Sequence, residues 1–261
     1  MGLKPDLVQE ERHQKIIRQV LTHRVARVKD LAESLGVHEM TVRRDLDALA
    51  EEGLLERIHG GARVRNQASA ELSYQLRAAQ NTEAKAKLAR KALSLIDEGD
   101  TVALDASTTA LALARILGTR VAMVITSGLD AAEALASSGT PLILVGGVFH
   151  PPARSFIALP DTGLSQLHPD KLFFSAKGFT VRAGLTDAHL PEVETKIRLI
   201  KSASLVVVVL DHSKFGREAL GTIATLEQVD ILLTDREPTA PFKDALEAAG
   251  VRLLIADDEA L

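Results

Sequence analysis

The chain has 261 residues, 46% hydrophobic and 25% charged, enough apolar material for a small folded domain and a larger one, without a disordered composition. It contains no cysteine, which excludes disulfides, thiolate metal sites and a cysteine nucleophile, and no apolar run approaches the roughly 18 residues of a membrane span. The net charge of −4 would argue against nucleic acid if spread evenly, but residues 1–65 carry 12 Lys+Arg against 11 Asp+Glu, with basic residues bunched at 24–29, at Arg43 with Arg44, and at 57–65. The opening MGLKPDLVQEERHQK lacks the apolar core of a signal peptide, so the expected location is the cytoplasm.

In chain order, residues 7–21 gather Val8, Ile16, Ile17, Val20 and Leu21 on one helical face, with Asp6 as a plausible N-cap. A short stretch at 25–28 precedes a second helix, 29–35, which buries Leu31, Ala32 and Leu35 and stops at Gly36. A third helix opens at His38 or Glu39 and runs to residue 52, with Val42, Leu46 and Leu49 facing the core and Gly53 ending it. Two short strands, 54–58 and 62–64, joined through His59-Gly60-Gly61, read as a wing. The pattern then loosens, and the expected division is a DNA-binding domain over 1–65, a linker and domain entry over 66–81, and a larger domain over 82–261. In that domain helices are expected over 82–96, 108–117, 130–136, 191–202 and 242–249. Strands are expected over 101–104, 121–125, 142–145, 172–175, 205–210, 231–234 and 251–256. Near-continuous apolar strands alternating with helices predict an α/β fold: a winged helix-turn-helix followed by a Rossmann-like domain with a mostly parallel sheet.

With Val42, Leu46 and Leu49 on the core side, a turn of 100° per residue sets Met40, Arg44 and Asp47 opposite, flanked by Thr41 and Arg43. Such a short-polar, cationic face suits a recognition helix, because arginine can bond guanine bidentately in the major groove. Arg57, Arg63 and Arg65 beside Gly60 and Gly61 would add wing contacts, and His38 and Thr41 could sit on the phosphate backbone. The plainer alternative is a solvated face on which Arg43 pairs with Asp47. In the larger domain Asp105-Ala106-Ser107-Thr108-Thr109 follows a buried strand and opens a helix, the place where hydroxyls and backbone N–H groups hold an anion such as phosphate. Ser107 or Thr108 could instead simply cap the helix, and Gly146-Gly147 could cradle a ligand or turn the chain.

The run VARVKDLAESLGVHEMTVRRDLDALAEEGLLERIHGGARV closely resembles the N-terminal signature of DeoR-type transcription regulators, in which the TVRRDL stretch is the recognition helix. The resemblance continues in order through TEAKAKLARKALSLIDEGDTVALDASTT, LILVGGV, DKLFFSAKGF, GLTD, EVETK, LDHSKFGREAL and ILLTD. It implies a sensor domain similar to the sugar-phosphate isomerase fold, answering to a phosphorylated sugar, and a repressor of carbohydrate genes that binds double-stranded operator DNA; no cofactor or metal is expected, and a homo-oligomer is expected because one helix and one wing make few contacts. The implied pocket comprises Asp105, Ser107, Thr108, Thr109, Gly146 and Gly147, faced by Lys177, Asp187, Glu192, Glu194, Lys196, Asp211 and Lys214. Lysines would neutralise phosphate and carboxylates would accept from sugar hydroxyls, although each charged residue could also be a surface ion pair. Two departures stand near this pocket: Ser127 where the family commonly has asparagine, and Ala158 where glycine is usual.

The competing reading is a sugar-phosphate isomerase-like enzyme with a DNA-tethering domain. There is no GxSxG elbow, GxxxxGK[ST] loop or HExxH, and the eight histidines lack metal-ligand spacing along the sequence. Asp211-His212-Ser213 cannot form a triad while adjacent on one extended segment. A winged helix that binds only protein partners is a further alternative.

Overall fold

Helix α1 (Gln9–His23), strand β1 (Val25–Arg27), α2 (Val28–Leu35), α3 (Glu39–Glu51) and the hairpin β2 (Leu55–Ile58) and β3 (Gly61–Val64) follow one another at the N-terminal end. These come from a computed structural model that describes residues 9–23, 25–51, 55–64, 74, 77–160 and 163–256, and the chain divides into two units, residues 1–80 and 81–261. Asp6, Arg24, Gly53, Arg65 and most of the expected 66–81 linker lie outside the described residues.

The N-terminal unit closes as a winged helix-turn-helix. Ile16, Val20, Leu31, Val42, Leu46, Leu49 and Leu55 are all buried in one cluster, so the apolar faces expected of the three helices meet. Gly36, at φ 68°, ends α2 in the left-handed conformation and donates its N–H to the Ala32 carbonyl. The 25–28 stretch resolves into strand β1, which joins the wing in a sheet of order β1-β3-β2. A Cβ on Gly61 would lie 2.2 Å from the Ala26 carbonyl oxygen of β1, so this wing residue is glycine because two backbones meet there.

In the larger unit, β4 (Thr101–Leu104), β5 (Met123–Thr126), β6 (Leu142–Leu144), β9 (Lys171–Phe174), β12 (Leu205–Leu210), β14 (Ile231–Thr234) and β15 (Arg252–Ile255) form a parallel sheet. Their order is β15-β14-β12-β9-β4-β5-β6. One face packs on α4 (Thr82–Leu93), α5 (Thr108–Leu117) and α6 (Leu129–Ser138) through Val102, Leu104, Phe173, Val207 and Val209. The other face packs on α7 (Leu190–Ser202) and α8 (Ala240–Ala248) through Leu172, Phe174, Val206, Val208 and Leu210. Both faces are therefore apolar, which is why the strands read as continuous apolar runs rather than alternations.

Two antiparallel pieces are additions to the expected elements: a hairpin of β7 (Gly147–His150) and β8 (Ser155–Ala158), and a sheet of order β10-β11-β13 from Gly178–Thr180, Gly184–Asp187 and Gly221–Ala224. The direction in which the parallel sheet is extended reverses at β4: β5 and β6 lie on one side, while β9 and then β12 lie on the other. Open parallel sheets bind ligands in the crevice at the carboxyl ends of strands flanking such a reversal.

Candidate nucleic-acid interface and effector pocket

On α3, Met40 is 49% exposed, Arg43 and Arg44 are exposed, and Thr41 is half-buried beside the core residue Val42. His38 sits just ahead of the helix and its Nδ1 accepts the Met40 N–H at 3.2 Å, so it helps terminate the helix while remaining exposed. Arg43 pairs with Glu39 at 2.8 Å, and Asp47 pairs with Arg57 at 2.8 Å, so the Arg43–Asp47 pair considered from spacing is replaced by two others. Arg57 also donates to the Gly61 carbonyl at 2.8 Å, which ties the wing to α3. Arg63 forms two hydrogen bonds to Glu56, directly opposite it in the hairpin, at 2.7 and 3.0 Å. Gly60 holds the turn at φ 75° with open space around it. Arg44 has no ion pair among the described residues, which leaves it the arginine of this face most available to a polyanion.

Asp45, in the middle of the TVRRDL run, is buried. It accepts from Arg12 Nε at 2.5 Å and Nη2 at 2.8 Å, and His13 Nε2 lies 3.1 Å away. This carboxylate locks α3 to α1 and fixes the angle at which the exposed face is offered. Sequence spacing gave no sign of it, because the partners are about 32 positions apart and Asp45 reads as an ordinary polar helix residue.

In the larger unit, Asp105 follows β4 and Ser175 follows β9, so both stand at the strand-order reversal. Asp105 is fully buried and accepts the backbone N–H groups of Ser107 and Ser175, each at 3.1 Å. Lys196, buried on α7, places its ammonium 2.8 Å from the Ser175 carbonyl, 3.0 Å from Asp187 and 3.1 Å from Asp105. Its three donors thus have three acceptors. Lys177, about a third exposed, reaches the other oxygen of Asp187 at 3.0 Å. Burial drives the Asp187 carboxyl upward, but the ammoniums of Lys196 and Lys177 overcome this and hold it well below the usual carboxylate range. Burial likewise lowers Lys196, and Asp187, Asp105 and Glu192 reverse the effect and raise it, so Lys196 and Asp187 form an ion pair near neutral pH. Ser107 caps α5, its Oγ accepting the Ala110 N–H at 3.0 Å; Thr108 opens the helix and Thr109 is buried in its first turn.

The remaining candidates lie in other places. Asp211, buried at the end of β12, accepts from Asn81 at 2.9 Å and from the Ser213 N–H at 3.0 Å, with Lys214 at 3.7 Å. Burial opposes ionisation of Asp211, and these donors and Lys214 outweigh it and lower its pKa. Beside it His212 Nδ1 meets the largely buried Asp235 at 2.7 Å. Glu192 is buried and accepts from Ser155 at 2.6 Å, whereas Glu194 is exposed on the outer side of α7 with Arg198 at 3.9 Å. Gly146 is exposed beyond β6; Gly147 opens β7, where a Cβ would fall 1.9 Å from the Ile157 carbonyl. Asn81, Ser175 and Asp235 carry no signal in the sequence, and His212 shows one only as part of Asp211-His212-Ser213, which cannot form a triad. Asn81 and Ser175 carry no charge pattern, and only the positions of His212 and Asp235 at adjoining strand ends bring them together.

Residues 12–68 match the family described as the DeoR-like helix-turn-helix domain, and residues 80–236 match the DeoR C terminal sensor domain. Among curated proteins, the chain is 36% identical to the HTH-type transcriptional regulator GolR of Listeria innocua, covering 95% of this chain and 98% of that protein. It is 34% identical to the HTH-type transcriptional repressor GlcR of Bacillus subtilis, covering 97% of this chain and 98% of that protein. Among solved structures it is similar to ribose 5-phosphate isomerase A of Methanocaldococcus jannaschii, at 21% identity and a TM-score of 0.40, over 52% of this chain and 55% of that one. No helix among the described residues is long and apolar enough to cross a membrane.

Proposed function

The chain belongs to the DeoR family of transcriptional regulators, and from that premise we propose that it represses carbohydrate genes by occupying double-stranded operator DNA and lets go when a phosphorylated sugar fills the pocket at the strand-order reversal. Arg44, with Arg43 and Met40, reads the major groove, while His38, Thr41 and the wing residues Arg57, Gly60, Gly61 and Arg63 bear on the backbone. Arg57 and Arg63 must exchange Asp47 and Glu56 for phosphate, so they contribute less than Arg44. One helix and one wing make few contacts for specific affinity, and the protein works as a homo-oligomer on repeated half-sites, in the cytoplasm.

The observation that carries the sensor reading is the buried Asp105–Lys196–Asp187 cluster, with Lys177 about a third exposed at its edge. Lys196 has all its donors engaged and holds the two carboxylates in place, while Lys177 spends one donor on Asp187 and offers the others to a phosphate. The N-terminus of α5 adds the positive end of a helix dipole after Asp105 and Ser107. A lysine kept charged by two carboxylates is a poor proton acceptor, which favours a binding site over a catalytic one. The test is titration of the full-length protein with sugar phosphates and their unphosphorylated parents. A phosphorylated sugar binds, its parent does not, and Lys177→Met weakens the former; turnover of the sugar phosphate, or equal binding of both forms, would give the enzyme or an unphosphorylated effector instead.

A further inference from the structure

Although the histidines show no ligand spacing along the chain, the fold stacks two of them. His150, the last residue of β7, and His189, the N-cap of α7, lie ring on ring with centroids 3.7 Å apart and planes 6° from parallel. Glu192, one turn into α7, completes a group in which one ligand atom from each residue lies within 4.8 Å of the other two. His189 Nδ1 is buried and has no hydrogen-bond partner. Buried polar atoms are nearly always partnered, so an imidazole nitrogen unpaired within the protein, beside a second imidazole and a carboxylate, is open to a ligand.

We propose that His150, His189 and Glu192 bind one divalent transition-metal ion of the zinc type. Two imidazoles and one carboxylate suit such an ion and leave a coordination position for water, whereas magnesium and calcium favour oxygen ligands throughout. The Ser155 hydroxyl, 2.6 Å from Glu192 Oε1, orients the carboxylate as outer-shell partners of metal ligands do. Parallel rings cannot both aim an in-plane lone pair at one ion, so loading turns one imidazole out of the stack, and no hydrogen bond on His189 Nδ1 resists its turning. The positive end of α7 disfavours a cation, and the charge of Glu192 in its first turn offsets this. Glu192 also acts electrostatically on Lys196, so the site adjoins the effector cluster without sharing its lysines.

The experiment is titration of tag-free, full-length protein with Co2+, followed by its visible d–d absorption, and then displacement by Zn2+. One Co2+ per chain is expected, with His150→Ala and His189→Ala each weakening it at least about tenfold, no less than the loss of an outer-shell partner does. His168→Ala and His212→Ala should leave the Co2+ affinity unchanged. Should either alanine variant unfold, Glu192→Gln keeps the side-chain volume and the bond to Ser155 and should weaken Co2+ to the same degree. Wild-type protein binding no more Co2+ than the His150→Ala/His189→Ala double variant, or single variants binding as tightly as wild type, would overturn the site.

Discussion

Arg44 and Asp45 are neighbours in sequence with opposite duties: one faces solvent, and the other is buried against Arg12 and His13. Arg44→Ala should weaken operator binding about fivefold or more, since a bidentate base contact is worth about 1–3 kcal/mol, while the melting temperature stays within error. Arg63→Ala should instead weaken specific and nonspecific DNA alike and lower the salt dependence by about one phosphate contact. Fluorescence anisotropy at several salt concentrations separates the two outcomes. Asp45→Asn leaves buried donors poorly matched and should cost about 1–3 kcal/mol in the unfolding of the N-terminal unit, read by urea denaturation. Lys196→Met should cost more, about 3–5 kcal/mol, because two buried carboxylates lose their cation. At this scale the exposed face of α3 was readable from period alone, and the residues of the Asp105–Lys196–Asp187 cluster, with Lys177, from family resemblance. Asp45, Ser175, Asn81 and the His150–His189 stack were not, because each takes its role from a partner distant in sequence.

Among the elements, helices announced themselves by their 3.6 period, as in α3, and the parallel strands, though mostly short, by being almost wholly apolar between helices, as in β12. The antiparallel additions did not, since strands of three or four residues that begin with glycine, such as β10 and β11, show no alternation. The hairpin β7–β8 matters to function because it brings His150 and Ser155 to α7. Gly61→Ala tests the parallel claim for the wing. Its methyl would collide with the Ala26 carbonyl, so β1 and β3 should part at a cost of about 1–3 kcal/mol. Hydrogen exchange should then quicken in 25–27 and 61–64, DNA affinity should fall, and sugar-phosphate affinity should hold. Unchanged exchange in those segments would show that the β1–β3 approach does not constrain the wing.

For the whole molecule, the Asp187–Lys196 pair contributes a pH dependence to stability. Asp187 has a lowered pKa when folded, so its contribution is present above its unfolded value of about 3.9 and is lost as pH falls below it. Lys196 has a raised pKa when folded, so its contribution is present below about 10.4 and is lost as pH climbs past it. Stability from this cluster should therefore form a plateau between about pH 4 and 10, and Lys196→Met should remove its alkaline shoulder, as denaturation across pH would reveal. Two binding sites on one protein must also be linked reciprocally: whatever factor the sugar phosphate takes from DNA affinity, DNA takes from sugar-phosphate affinity. The most direct measurement is binding of the full-length protein to DNA from upstream of its own gene, at one fixed salt concentration, with and without a panel of sugar phosphates. The account predicts specific binding that one sugar phosphate weakens in the wild type but not in Lys177→Met. Specific binding indifferent to every sugar phosphate, or weakened equally in the variant, would contradict it.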